Sequence, residues 1–437
     1  MDKTLSELSK NIRQQFDIAP YPGSPLEQFP EADVPRLYFH SLVTPYYLRN
    51  QKVIETEGKV ILDAGCGTGY KSLALARANP GAKIIGIDFS EASVQIARQR
   101  AQYHKVNAEF YVLSIEELDQ LSLEFDYINC DEVLYLLPDP IGCLKAMKSV
   151  LKPDGIIRAN LHSYLQRVYY FRFQEVFEMM GFMDENPTEA EVELVQEIMK
   201  ALQDNVLLKK NTWIPLLEES TINILRNYLL QGDKGYTIPE MFSALKIANL
   251  EFISMVDWWQ WDLMDLFKEP DSLPTVLGKS LSEIAVEERL YLFELLHPIH
   301  RLLDFWCAHP DPDRAFVAVA NWTDSDWQQA KVYLHPQLRT PEIAQKLTHS
   351  ITQLQPFELS QLLPSADETA TIDSTMTACL LPLWEKAELV SSLVERWCKL
   401  CPVHPVNLQP TTLEEAFELV KQVLVKLEKI GGVLLER

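Results

Sequence analysis

The sequence predicts an α/β fold built on a buried parallel sheet, and three features of residues 60–88 carry that expectation. An apolar run, Val60-Ile61-Leu62, ends in Asp63 and breaks at once into Gly65, Gly67 and Gly69, the pattern of a buried strand running into a tight turn. Helical sequence follows from Lys71 to Ala78 and stops at Asn79-Pro80-Gly81, where proline and glycine punctuate the chain. A second apolar strand, Lys83–Ile87, ends in Asp88, 19 positions past Gly69. Glycine lacks a Cβ, so the turn between the first strand and its helix can take positive φ and admit a ligand against its peptide groups.

The spacing of that turn selects among ligands. A dinucleotide site asks for G-x-G-x-x-G, with a pyrophosphate facing the helix N-terminus. Here the spacing is G-x-G-x-G, and Asp63 stands directly before it. A carboxylate at the strand tip opposes a pyrophosphate and suits a cation. S-adenosylmethionine (SAM) carries a sulfonium and an ammonium, so the electrostatics favour it. An acid at the tip of the second strand, where Asp88 lies, can accept hydrogen bonds from both hydroxyls of a ribose. Ala108–Leu113 reads as a third strand and Phe125–Cys130 as a fourth. Leu151–Gly155 reads as a turn before a fifth strand at Ile156–Asn160.

On these motifs the chain resembles the class I SAM-dependent methyltransferases, continuously from Val60 to Asn160. The resemblance implies a seven-stranded Rossmann-like sheet. It also implies that Asp63 and the backbone of Gly65, Cys66, Gly67 and Gly69 hold the methionine portion of SAM, and that Asp88, with Phe89 beside it, holds the ribose. Ser114 and Ile115 fall where relatives contact adenine, with Ser114 replacing the usual aspartate. Asp131, after the fourth strand, completes the implied cofactor set. Pro20-Tyr21-Pro22, Leu161-His162-Ser163, Gly235–Met241 and Phe293–Cys307 are further similar to a bacterial methyltransferase group often fused to tetratricopeptide repeats; no such repeat occurs here.

Four regions follow. Residues 1–55 are an aromatic, proline-broken helical cap whose Tyr21, Tyr46 and Tyr47 serve either as a lid over the site or as anchors to the core. Residues 56–160 are the SAM-binding core. Residues 161–310 are a helical insertion plus the remaining strands, shaping the acceptor pocket. Within it a helix starts at Pro187-Thr188, another is capped by Thr237 with Glu240 three residues on, and Leu250–Val256 is the sixth strand. For the seventh, family similarity favours Leu302–Cys307, whereas β-forming composition favours Ala315–Trp322; we follow the similarity. Residues 311–437 form a mostly helical C-terminal domain of unknown role.

Composition bounds the function. The chain has 437 residues, 47% of them apolar, and a net charge of −22. Residues 1–160 hold 17 Lys+Arg against 21 Asp+Glu, leaving −18 for the remainder. That field disfavours a phosphate backbone as partner. With neither a long apolar run nor a signal-peptide pattern, a cytoplasmic location and no membrane are expected, and the seven scattered cysteines read as reduced thiols.

Methyl transfer is an in-line displacement that needs a dry, oriented pocket, and a base only where the acceptor loses a proton. Glu132 and His162 are the leading candidates for that base, with Asp131, Tyr135, Tyr164 and His40 behind them. Trp258, Trp259 and Trp261 shape an acceptor pocket or pack a sheet rim. His297/His300 and Cys398/Cys401 with His404 and Cys379 have metal-like spacings, but neither set is completed by a matching second pair, and no metal is expected. The expected activity is SAM-dependent methyl transfer to a small or medium organic acceptor. The alternatives are a protein methyltransferase that docks its substrate on the C-terminal domain, and an inert SAM-binding regulator.

Overall fold

β1 (Val60–Ala64), β2 (Lys83–Asp88), β3 (Ala108–Val112) and β4 (Phe125–Cys130) lie where the apolar runs place them. Every residue of β4 is buried, and only Lys83 of β2 escapes full burial. Strands this apolar on both faces need helices on both sides. β5 (Leu151–Ser163), β6 (Gly235–Tyr236), β7 (Glu251–Met255) and β8 (Leu302–Ala308) complete the sheet. Its order is β3-β2-β1-β4-β5-β8-β7, with the short β6 pairing beside the end of β5. β8 runs antiparallel to both β5 and β7; β1–β5 are mutually parallel. The computed structural model describes residues 12–14, 21–30, 34–214, 220–268, 284–312, 316–359, 362–363, 371–404 and 408–437; most of the cap before Tyr21, including Pro20, lies outside them.

Two differences from the sequence reading have local causes, and pairing geometry also decides the seventh strand in favour of the segment that family similarity chose. Leu151–Gly155 is the start of β5, not a separate turn: the pairing runs Phe125 with Leu151, then Tyr127 with Ile156, so the extra residues bulge out of the ladder. The seventh strand is Leu302–Ala308, whereas Val319–Asn321 forms a short 3-10 turn. β propensity lost there to pairing geometry, because β8 fits between β5 and β7. The helical C-terminal region also carries two small antiparallel sheets. β9 (Lys331–Leu334) lies between β12 (Glu388–Leu389) and β13 (Val433–Glu436), and β10 (Phe357–Glu358) pairs β11 (Thr371–Ile372).

The insertion holds helices Tyr164–Met179, Glu189–Ala201, Leu207–Thr212 and Thr221–Asn227. Thr188–Glu191 and Thr237–Glu240 form capping boxes at the starts of Glu189–Ala201 and Ile238–Ala248, each satisfying backbone donors that a helix start leaves open. Cap helices Val34–His40 and Val43–Asn50 are held between the sheet and the C-terminal region. Asn79 accepts from the Leu42 amide at 2.8 Å and donates to the His40 carbonyl at 2.9 Å. From the other side, the Tyr47 hydroxyl donates to Glu428 at 2.8 Å, and Gln337 reaches the Ala78 carbonyl at 2.7 Å. Tyr46, on the rim, donates to Asp154 at 3.3 Å. Tyr46 and Tyr47 are therefore anchors.

His335 lies at the centre of this junction and is fully buried. Its Nδ1 accepts the Gln337 amide at 3.3 Å, which puts its proton on Nε2 facing the Thr44 hydroxyl at 3.0 Å. Burial, helped by Arg339, pushes its pKa down to about 3. Above pH 6.5 both folded and unfolded imidazoles are neutral; as the pH falls towards 3 only the unfolded one takes up a proton, so folding stability is lost. Between pH 7 and pH 5 this group alone should remove about 2 kcal/mol. In His335→Asn, whose Oδ1 can still accept the Gln337 amide, urea denaturation at the two pH values should show a correspondingly smaller difference.

Candidate functional site

The glycine turn shapes the site through its backbone. Gly65 and Cys66 both donate to the Ile87 carbonyl at 2.8 Å, and Gly67 donates to Asp88 Oδ2 at 2.9 Å. Two positions require glycine. At Gly67 (φ +51°) a Cβ would sit 2.2 Å from the Tyr21 carbonyl oxygen, and at Gly69 (φ +77°) it would press on Ala97 at 2.9 Å, where the helix Tyr70–Ala78 begins. Close approach of the cap to the turn is thus written into Gly67.

The segment from Tyr21 is stitched to this turn. Thr68 donates its amide to the Tyr21 carbonyl at 2.9 Å and its hydroxyl to the Pro22 carbonyl at 2.8 Å. Arg100, buried in the helix Glu91–His104, donates to the carbonyls of Thr68, Ser24 and Pro25 at 2.7–2.9 Å. One guanidinium thus gathers the turn and the cap. The Tyr21 ring lies under Arg226 of the insertion, 3.8 Å from its guanidinium carbon, and its hydroxyl donates to Glu132 at 3.0 Å.

Beneath Tyr21 is a cavity lined by Gly65–Gly67, Lys71, Asp88, Phe89, Asp131, Glu132 and Val133. A second cavity, of about 450 Å³, shares Tyr21, Pro22, Lys71, Asp131 and Glu132 with it and adds Phe39, His40 and Tyr70.

Charges are concentrated where the two cavities meet. Lys71 pairs with Asp131 at 2.7 Å and lies 3.7 Å from Glu132. Asn160 on β5 donates to Asp131 at 2.7 Å and accepts the Glu132 amide at 2.8 Å. That bond holds Glu132 at φ +62°, a left-handed conformation uncommon outside glycine and typical of functional sites. Burial pushes the Asp131 carboxyl up, but Lys71, Arg158 and His40 outweigh it, and the group is held well below the usual carboxylate range. Burial also pushes the partly exposed Glu132 up, but Lys71 and Arg301 outweigh it and lower the group. Both are carboxylates at neutral pH.

Behind Glu132 runs a chain of contacts. Arg301 pairs with Glu132 and donates to His162 Nε2 at 3.0 Å; His162 Nδ1 donates to Asp233 at 2.6 Å; Arg167 closes on Asp233 at 3.1 Å. Tyr135 stacks on the imidazole with ring centres 3.6 Å apart. Burial pushes the His162 pKa down to about 4 despite Asp233. The imidazole is neutral with both nitrogens engaged, so it orients Arg301, and through Arg301 Glu132.

The other expected site residues divide between wall and frame. Asp63 is buried behind the turn, accepting from Ser72 at 2.6 Å and Asn129 at 3.0 Å, and does not line the cavity. Ser114 caps the turn Ile115–Leu121 and bonds Glu116, while Ile115 is core; neither lines the cavity. Cys66 is buried and its thiol is pushed far up by burial, then by Asp63 and Asp88, which leaves it no nucleophilic character at neutral pH. Trp258 donates to the Lys429 carbonyl at 3.3 Å and Trp261 stacks on His300 at 4.4 Å, so these are packing residues; Trp259 stacks on Phe39 of the second cavity at 6.0 Å. Cys379 Sγ donates to the Leu393 carbonyl at 3.3 Å, and no group of three metal-ligating side chains occurs among the described residues.

Residues 55–233 match a family model described as a methyltransferase domain. Residues 55–233 carry a methyltransferase domain. An uncharacterized protein of Synechococcus is 27% identical over 325 residues, 73% of this chain and 75% of that protein. The ubiquinone biosynthesis O-methyltransferase of Actinobacillus pleuropneumoniae is 37% identical over 112 residues; the match covers 24% of this chain and about half (47%) of that enzyme. Over nearly its full length the chain has the fold of PKMT2 from Rickettsia typhi, with a TM-score of 0.61, 15% identity, and coverage of 95% of this chain and 77% of that one. No helix among the described residues is long and apolar enough to cross a membrane.

The cavity fits SAM as the methyltransferase cofactor. Asp88 lies on its wall at the tip of β2, the turn exposes backbone to it, and the Asp131–Lys71 pair brings one charge of each sign to it. Lys71, Asn160, Arg301 and Asp233 were not among the expected site residues, and Tyr21 was expected only as a lid or an anchor. Lys71 had a local signal, since the residue two past the last turn glycine opens the helix against the ligand; Arg301 had none, lying 169 positions from Glu132. Arg100→Ala should release the cap by leaving its carbonyls unsatisfied. We expect weaker S-adenosylhomocysteine binding by calorimetry, by about 1–3 kcal/mol, and faster limited proteolysis within residues 21–30.

Proposed function

We propose that this domain methylates a small or medium organic acceptor carrying an O–H or N–H, bound in the cavity between Phe39, His40, Tyr70 and Glu132. The observation that carries this reading is that this second cavity shares its wall with the cofactor cavity at Tyr21, Lys71, Asp131 and Glu132, so an acceptor there lies beside the cofactor under one cap. SAM supplies an electrophilic methyl group on a sulfonium. The protein's part is placement and charge: Phe39, Tyr70 and the Tyr21 cap exclude water, which strengthens the electrostatics inside. Glu132, ionised and aimed by Asn160 and Arg301, accepts the hydrogen bond and then the proton of the acceptor group. The likeness of the core to enzymes named as O-methyltransferases supports a hydroxyl acceptor.

A protein acceptor is the second reading, favoured by the charge of −18 on residues 161–437 and by a fold shared with PKMT2 through the C-terminal region. Incubation with methyl-labelled SAM and a fractionated extract separates the two. We expect label in the small-molecule fraction; label confined to protein would overturn the first reading, and absence of turnover with intact cofactor binding would point to a regulator. With an accepted substrate, Glu132→Gln should lower kcat/KM by about a hundredfold or more, as for loss of a positioned proton acceptor.

A further inference from the structure

Tyr21 covers both cavities, and each part of it is held by a different element. Its carbonyl accepts from Thr68 of the glycine turn at 2.9 Å, and its hydroxyl donates to Glu132 at 3.0 Å. Burial and Glu132 push the Tyr21 pKa up against the pull of Lys71 and Arg226, so the hydroxyl remains a donor at neutral pH. The third contact comes from the insertion. Arg226, on the helix Thr221–Asn227, places its guanidinium carbon 3.8 Å from the centre of the Tyr21 ring.

Arg226 is half-buried and has no carboxylate partner among the described residues, so its charge is spent on the ring. A guanidinium is weakly hydrated and stacks flat on an aromatic face, and the attraction grows as water is excluded. The helix end that carries it is fixed from behind. The side chain of Asn227 accepts from Arg167 at 3.2 Å and its carbonyl from Gln174 at 3.0 Å; both donors also bond Asp233, at 3.1 and 3.0 Å. Asp233 begins the chain through His162 and Arg301 to Glu132. The insertion therefore reaches Glu132 by two routes, one through Arg301 and one through Arg226 and Tyr21.

We propose that Arg226 is a positioning residue that acts through the Tyr21 ring, holding the cap down and so setting how long the cofactor or its product stays bound. Arg226 lines neither cavity, so its loss frees the ring without removing a wall of the site. The contact exists only with the cap in place, so its effect belongs to dissociation rather than to encounter. This role rests on the cofactor site alone and is independent of the acceptor.

The test is surface plasmon resonance of S-adenosylhomocysteine on the immobilised full chain. Arg226→Ala should release the ligand about threefold to tenfold faster, as for loss of a half-buried cation–π contact, with association within about twofold of wild type. Tyr21→Phe keeps the ring, so adding Arg226→Ala to it should accelerate release by a similar factor. In Tyr21→Leu, which has no ring, Arg226→Ala should add nothing. Arg226→Lys keeps a cation and should restore most of the retention. Limited proteolysis reads the same contact without ligand: Arg226→Ala should be cut faster within residues 21–30. Wild-type release from Arg226→Ala, an equal acceleration in the Tyr21→Leu chain, release from Arg226→Lys as fast as from Arg226→Ala, or unchanged proteolysis would each overturn the proposal.

Discussion

The site depends on one buried charge, the carboxylate of Asp131 at the end of β4. An ion withdrawn from water is tolerated only when it is paired and its remaining lone pairs are satisfied. Lys71 supplies the paired cation at 2.7 Å, Asn160 a donor at 2.7 Å, and Arg158 a second cation at 3.7 Å that is itself fixed to Asp304 at 2.6 Å. These partners come from the helix after the glycine turn, from β5 and from β8. Satisfying one carboxylate therefore fixes the relative placement of the elements around the cofactor cavity, and removing a single partner would leave a buried charge uncompensated, typically at about 3–5 kcal/mol.

The same arrangement ties the cap to chemistry. Glu132 follows Asp131 directly, and its left-handed backbone is held by Asn160, the residue that also serves Asp131. Its side chain then collects Tyr21 from the cap and Arg301 from the start of β8. The cap is fixed on its far side by the Tyr47–Glu428 and Thr44–His335 contacts, so the C-terminal region braces the cap. Tyr21 combines the two roles that the sequence left open for the cap aromatics: its backbone anchors to Thr68 while its ring stands over the cavity.

Legibility in the sequence followed the range of the interaction. β1 to β4, the glycine turn, the helix start at Pro187-Thr188 and the cap at Thr237 are local patterns, and they were readable within a residue or two. The bulged start of β5 was not, because a register shift depends on the partner strand. The seventh strand followed family similarity where propensity pointed elsewhere. At the site, Asp88, Phe89, Asp131 and Glu132, all singled out in the sequence, come together around one cavity. Asp63 and Ser114 turn inward or sideways to frame the turn, a distinction of side-chain direction that spacing does not contain. The Arg301–His162–Asp233–Arg167 chain spans 139 positions between its first two members, and only the folded sheet brings it together.

The central claim, that the cavity under Tyr21 is a SAM site with Asp88 on the ribose, is tested most directly by calorimetric titration of S-adenosylhomocysteine into the wild-type chain and Asp88→Ala. The account predicts micromolar binding by the wild type, weakened in the variant by about 1–3 kcal/mol for the lost hydrogen bonds. Failure of the folded wild type to bind, or equal affinity in the two proteins, would contradict it.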